Sequence, residues 1–280
     1  MEPDRRTLEE MAARWLGEDV GRGDVTTGAV IPASLEGIAR IEVRQDAIVA
    51  GLVVAQVCFD LASGGAVSCH CFVTDGNEVH AGDVLARLQG PLGPILTAER
   101  TALNLLGRLS GIATLTRRFS QEVEGTTATI VDTRKTTPGL RLLEKHAVRA
   151  GGGSNHRFGL DDGVLIKDNH VAAARGVEEA VERARRAVPH GLKIEVEVST
   201  LEELDAAISA GADAVLLDNM GAETVREAVK RAGGKAILEA SGGISLENVR
   251  RYAETGVDLI SVGALTHSAP NVDVALEVEA

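Results

Sequence analysis

Residues 194–218 read Ile194-Glu-Val-Glu-Val198, then Ser-Thr, then Leu201-Glu-Glu-Leu-Asp-Ala-Ala-Ile-Ser-Ala210, then Gly-Ala-Asp, then Ala214-Val-Leu-Leu217-Asp218. An apolar run, an amphipathic stretch and a second apolar run follow one another with links of two or three residues. That order predicts strand, helix, strand, and links this short predict parallel pairing. The rhythm continues in both directions. The apolar runs are Ala128–Val131, Val164–Ile166, Ile194–Val198, Ala214–Leu217, Ala236–Ala240 and Leu259–Val262. Helical stretches are expected at Ala172–Val188, Leu201–Ala210, Ala222–Ala232 and Leu246–Thr255, each bounded by Gly or by Ser, Thr or Asn caps. Six strands in this order suit a closed or nearly closed α/β barrel. A doubly wound sheet fits less well, because no glycine-rich dinucleotide fingerprint follows the first strand.

The first part of the chain has no such alternation. Leu8–Leu16, Leu52–Leu61 and Thr97–Leu109 carry helical spacing, with Thr97 expected as an N-cap and Arg100 as an exposed cation in the first turn. Gly37–Val43, Val67–Val73 and Val84–Leu88 read as strands. Mixed in this way they predict an α+β domain.

Composition narrows the function. The net charge of −12 and an aromatic content of 2% disfavour nucleic acid and anionic membranes as partners. No apolar run reaches the roughly 18 residues of a membrane span. Met1-Glu-Pro-Asp-Arg-Arg6 lacks the apolar region of a secretory signal, which points to the cytoplasm. Cys58, Cys69 and Cys71 are an odd set, expected as buried reduced thiols rather than metal ligands.

In a barrel the chemistry lies after the strands. Between Asp132 and His170 stand Arg134, Lys135, Arg141, Lys145, Arg149, Arg157 and Lys167, with His146, His156 and His170. Arg141, Lys145 and Arg149 recur every four residues and read as a solvated helix face. Arg134-Lys135 and Lys167 directly follow strands, where burying a cation without a partner is costly. A bound multianion removes that penalty. The third run carries Glu195 and Glu197, and the fourth ends in Asp218. Glu197 and Asp218 suit sugar hydroxyls or Mg²⁺, or a lysine inside the barrel. Glu195 shares a face with Glu197 and is expected to pair with a lysine. Ser241-Gly242-Gly243, with a helix starting near Ser245, and Gly263-Ala264 look like phosphate loops at the last two strands.

These segments in this order resemble the quinolinate phosphoribosyltransferase family. The resemblance is carried by Asp132-Thr-Arg-Lys-Thr-Thr-Pro-Gly139, Gly151-Gly-Gly-Ser-Asn-His-Arg157, Leu165-Ile-Lys-Asp-Asn-His170, Glu195-Val-Glu-Val198, Leu217-Asp-Asn-Met220, Glu239-Ala-Ser-Gly-Gly-Ile244, Ser261-Val-Gly-Ala-Leu-Thr-His267 and Glu99-Arg-Thr-Ala-Leu-Asn104. It covers nearly the whole chain. It implies an N-terminal open α+β sandwich over residues 1–112, joined by the tail 268–280, and an incomplete parallel α/β barrel over 113–267. It implies transfer of phosphoribose from phosphoribosyl pyrophosphate to quinolinate with loss of CO₂, and a homodimer or larger assembly with a shared site.

The family's quinolinate-binding cations fall on Arg134, His156, Arg157 and Lys167, with Arg100 from a partner subunit. Thr133 and Lys135 belong to the same site. Lys135, Glu197 and Asp218 are the implied catalytic groups. Glu197 and Asp218 lie near ribose and Mg²⁺, which the substrate phosphates mostly hold. Ser241, Gly242, Gly243, Gly263 and Ala264 match phosphate loops, and His267 a further site residue. Two other readings remain: a molybdenum-locus relative of unknown substrate, and a non-catalytic anion-binding protein. The intact Lys167-Asp-Asn-His170 favours the quinolinate enzyme over the first. The full set of cations, carboxylates and loops favours it over the second.

Overall fold

The computed structural model describes residues 3–279; Met1 and Glu2 of the N-terminal stretch read above, and Ala280 of the tail, lie outside them. In chain order the elements begin α1 (Arg5–Val20), α2 (Val25–Val30), β1 (Glu36–Val43), β2 (Ala47–Ile48), α3 (Leu52–Ser63), β3 (Ser68–Cys71), β4 (Glu78–Val79), β5 (Val84–Pro91) and α4 (Leu92–Glu122). Next come β6 (Thr129–Val131), α5 (Arg141–Ala150), β7 (Val164–Ile166), α6 (Asp168–Ala174), α7 (Val177–Ala187), β8 (Ile194–Val198), α8 (Leu201–Ser209) and β9 (Ala214–Asp218). The last are α9 (Ala222–Ala232), β10 (Ile237–Ser241), α10 (Val249–Ala253), β11 (Leu259–Ser261), α11 (Ala264–His267) and β12 (Val274–Glu279).

They form two compact units. One holds the chain up to Arg117, the segment Pro138–Gly152 and the stretch from Ala269 onward. The other holds Arg118–Thr137 and Gly153–Ser268. A single division near residue 112 does not separate out Pro138–Gly152.

The first unit is built on an antiparallel sheet in the order β12-β1-β5-β3, with Ile41 opposite Leu276. Leu8, Ala12 and Leu16 recur every four residues on α1 and are buried, so α1 shows one apolar face. Asp4 caps α1 by accepting from the Thr7 N–H at 3.0 Å. The helix expected from Thr97 starts five residues earlier, at Leu92. Pro94 lies in its first turn, where proline is tolerated because those N–H groups have no helical partner. Thr97 is therefore inside the helix, and its hydroxyl donates to Asp24 Oδ2 at 3.1 Å.

The reading of Lys145 as a surface cation is corrected. Leu143, Glu144, Lys145, Ala147 and Val148 of α5 are all buried, so this helix is covered over much of its circumference. Glu144 is fully buried and accepts from Arg108 Nε at 2.9 Å. Charge spacing along a helix cannot tell a solvated face from a covered one. The thiols also differ from expectation: Cys58 is buried, but Cys69 and Cys71 are only half-buried.

The second unit is a six-stranded parallel sheet in the order β6-β11-β10-β9-β8-β7. The first strand pairs with the last, and β6 and β7 are the two edges of the sheet. This is the incomplete barrel. Val196, Val215, Leu217, Leu238, Ala240 and Ile260 are buried on one face of the strands. Fully burying a Val, Leu or Ile side chain contributes about 1.5–3 kcal/mol. The alternate residues Glu195, Glu197, Asp218, Glu239 and Ser241 take the other face. Thr200 caps α8 by accepting from the Glu203 N–H at 3.1 Å.

Two helical expectations need correction here. The stretch Ala172–Val188 is two helices, α6 and α7, broken where Arg175 has φ 71° and Gly176 φ 144°. The stretch Leu246–Thr255 shrinks to Val249–Ala253. Asn248 closes the preceding turn: its side chain accepts from the Ser245 N–H at 2.8 Å and donates to the Gly243 carbonyl at 2.9 Å. No helix starts at Ser245.

Candidate active site

The C-terminal ends of the parallel strands enclose a cavity of about 490 Å³. Thr133, Arg134 and Lys135 enter it from the loop after β6, His156 and Arg157 from the segment before β7, and Lys167 directly after β7. Glu197, Asp218 and Ser241 enter from β8, β9 and β10. A second cavity of about 360 Å³ shares Thr133, Lys135, Asp218 and Ser241 with the first. Gly242, Gly243, Gly263, Ala264 and His267 line it. Arg100 lines neither cavity. It stands on α4 with its side chain 65% exposed, 3.7 Å from Glu99.

The loop after β6 is shaped by its own threonine. Thr133 Oγ1 accepts from the Lys135 N–H at 3.0 Å, and the Lys135 carbonyl accepts from Thr266 Oγ1 at 2.8 Å. The segment with His156 and Arg157 is tied back by Asp132, a fully buried acid. Asp132 accepts from Asn155 Nδ2 at 2.6 Å and from the His156 N–H at 2.9 Å. The sequence reading gave Asp132 no role. Its place between a strand end and a cationic loop was the available signal.

Arg157 Nη1 donates to the Gly163 carbonyl at 2.8 Å, while its Nε is buried with no protein partner. Burial, and then the charge of Arg134, pull the Arg157 guanidinium below its ordinary value; it stays protonated. Lys167 Nζ donates to Glu197 Oε2 at 2.9 Å, so the lysine-paired alternative for Glu197 is the arrangement seen. Glu195 does not pair with a lysine as expected. Its Oε2 lies 3.1 Å from His156 Nε2.

Beneath them lies Glu239, only 1% exposed, with neither carboxylate oxygen hydrogen-bonded. His156 Nε2 is 3.6 Å away. Burial first, and the charge of Glu195 second, push the Glu239 carboxyl up to about 7. Sequence reading gave Glu239 no role, although it follows the same alternation that exposes Ser241 to the cavity.

The second cavity requires close backbone approach. Gly242 has φ +93°, and a Cβ there would lie 2.2 Å from Asn219 Oδ1; no other residue fits. A Cβ at Gly263 would meet both Lys135 Cδ and His267 Nε2 at 3.2 Å.

Fold and site together define an α/β-barrel enzyme whose strand ends gather cations, carboxylates and glycine loops for multiply charged anions. The comparisons with known proteins narrow that class. Residues 24–110 match "Quinolinate phosphoribosyl transferase, N-terminal domain", and residues 112–277 match the corresponding C-terminal domain. A probable carboxylating nicotinate-nucleotide pyrophosphorylase of Bacillus subtilis is 45% identical, over 97% of this chain and 93% of its own. The carboxylating nicotinate-nucleotide pyrophosphorylase of Mycobacterium leprae is 46% identical over 95% of each chain. The solved nicotinate-nucleotide pyrophosphorylase of Francisella tularensis superposes with a TM-score of 0.95 at 37% identity, covering 99% of this chain and 98% of that one. The chain belongs to the quinolinate phosphoribosyltransferase family. Among the described residues no helix is long and apolar enough to cross a membrane.

Proposed function

We propose that this chain joins quinolinate to phosphoribosyl pyrophosphate, releasing nicotinate mononucleotide, pyrophosphate and CO₂ in NAD biosynthesis. The observation that carries the reading is the cavity itself: Arg134, Lys135, Arg157 and Lys167 converge on one space, continuous with a glycine-lined space beside it. Quinolinate presents two adjacent carboxylates, and its co-substrate several more charges. Opposite charges at about 4 Å attract by about 4 kcal/mol at an effective dielectric of about 20, so several cations are needed to assemble two polyanions.

Arg134, Arg157 and Lys167 meet the quinolinate carboxylates, and the buried unpartnered Arg157 Nε supports this. The loops at Ser241-Gly242-Gly243 and Gly263-Ala264 take the phosphates, with Lys135 and His267 beside them. Pyrophosphate leaves ribose C1 through an oxocarbenium-like state next to Glu197 and Asp218. The pyridine nitrogen attacks C1. The bond to the carboxylate beside that nitrogen then breaks and CO₂ departs; the bonding pair stays on the ring carbon, stabilised by the adjacent cationic nitrogen, and that carbon takes a proton from solvent. No protein nucleophile is needed.

Glu197 and Asp218 would hold Mg²⁺ together with the substrate phosphates. Both are hard oxygen donors; Glu197 Oε2 accepts from Lys167 and Asp218 Oδ2 from Asn219. When bound, Mg²⁺ would supply charge neutralisation for the leaving pyrophosphate.

A second copy of the chain supplies Arg100 and closes the pocket against water. Supporting this, Phe158 and Leu160, just after Arg157, are 40% and 74% exposed, as are Val25 and Val30 of α2 at 84% and 70%; such side chains favour burial between subunits. The cytoplasm is the compartment this metabolic role fits.

Incubation with quinolinate, phosphoribosyl pyrophosphate and Mg²⁺ tests the function. One CO₂ per nicotinate mononucleotide is expected; nucleotide without CO₂, or neither product, refutes it.

A further inference from the structure

His156 stands in the cavity wall with both ring nitrogens committed. The backbone N–H of Arg157 donates to Nδ1 at 2.7 Å. Nδ1 is therefore an acceptor and carries no proton. The ring proton belongs on Nε2, which faces Glu195 Oε2 at 3.1 Å and Glu239 Oε2 at 3.6 Å. An imidazolium would place a second N–H at Nδ1, pointing into the N–H of Arg157.

The same geometry argues against a metal. The ligating atoms of His156, Glu195 and Glu239 lie within 4.8 Å of one another. A ring that accepts at Nδ1 keeps its proton on Nε2 and has no lone pair to give there.

We propose that His156 is a positioning residue. Glu195 and Glu239 hold its ring as the Nε2–H tautomer, and its Nδ1 fixes the Arg157 main chain so that the guanidinium meets the substrate. This rests on the reading of the cavity as the quinolinate site. Two consecutive peptide N–H groups are pinned here, that of His156 by Asp132 and that of Arg157 by the ring. The Arg157 side chain is then anchored to Gly163. Glu239, fully buried and without a hydrogen bond, has its role in this arrangement. The carboxylate of Glu195, and that of Glu239 once ionised, favour a proton on the ring nitrogen that faces them.

Substitutions at His156 separate positioning from direct charge. Asn places an acceptor where Nδ1 stands; Gln reaches instead toward the Nε2 position; Ala does neither; none is charged. Positioning predicts that His156→Asn keeps the quinolinate KM within about threefold of native. His156→Gln and His156→Ala should raise it about tenfold, the size of one hydrogen bond to a charged group's support, with the phosphoribosyl pyrophosphate KM unchanged. Equal losses in all three variants would overturn the proposal.

The second readout is made on the native enzyme. Nitrogen-15 NMR of the full-length native enzyme at neutral pH should show Nδ1 bare and Nε2 protonated, with the signals assigned by their loss in His156→Asn. A doubly protonated ring would overturn the proposal. Native enzyme that fails to turn over quinolinate would sink the functional reading and this proposal together. Native turnover with a doubly protonated ring sinks the proposal alone.

Discussion

Glu195 and Glu197 lie on one face of the same strand, two residues apart, and do different things. Glu197 is at the rim. Its partner Lys167 has a side chain 47% exposed, so water and salt screen the pair, and it is worth little by itself. A substrate carboxylate can share that lysine. Glu195 is at the floor, with His156 13% exposed and Glu239 1% exposed around it. There the groups are held, and removing one leaves another buried without a partner. Rim groups exchange partners with the ligand, whereas floor groups keep the rim groups in place. Changes at the rim should alter turnover and leave stability alone; changes at the floor should alter stability and its pH dependence.

The sharpest way to break this contrast is at the rim. Arg134→Ala should lower kcat/KM by about a thousandfold, because one charged partner of the substrate carboxylates is lost. The thermal midpoint should stay within a few degrees of native. A near-normal rate would remove Arg134 from the substrate's contacts, and a collapsed midpoint would make it a floor residue.

The next effect is at the floor. Glu239 in the folded protein holds its proton up to about 7, against an ordinary value of 4.5. A raised folded value means that the folded state binds the proton more tightly than the unfolded one. Its contribution to stability is complete below 4.5 and is lost as pH rises through about 7. Denaturant unfolding of native and Glu239→Gln protein should therefore show a stability difference that shifts in favour of the variant across that window, by about 3 kcal/mol at most. A difference independent of pH would contradict the assignment.

The smallest effect returns to the rim. Lys167→Met should raise the quinolinate KM by about tenfold, and the loss should shrink as salt is added. Stability should change by less than about 1 kcal/mol. A larger loss of stability would mean that the Lys167–Glu197 pair is structural.

The barrel was legible because its strands carry continuous apolar runs at regular intervals, and helices such as Ala222–Ala232 carry a strong one-sided pattern with a glycine after the last turn. What failed depended on contacts distant in sequence. Lys145 follows the same charge spacing as a solvated residue and is nonetheless buried. Asn248 takes the Ser245 N–H and delays the helix, a choice that its side chain makes locally but that periodicity does not register. Lys167 and Glu197 were each legible as site groups because one directly follows an apolar run and the other is a carboxylate near the end of one. That they face each other follows from β7 pairing with β8, which sequence order suggests. That Glu195 and Glu239 flank His156 does not follow in the same way: three separate segments must close around one ring, and only the folded chain specifies that.

The central claim is that the rim cations are arranged for two carboxylates, not one. The direct measurement is the ratio of kcat/KM for quinolinate to that for nicotinate, each with phosphoribosyl pyrophosphate and Mg²⁺. Nicotinate lacks the second carboxylate and leaves a buried cation without a partner, so the ratio should exceed about a thousand. Comparable rates for the two acids would contradict the account.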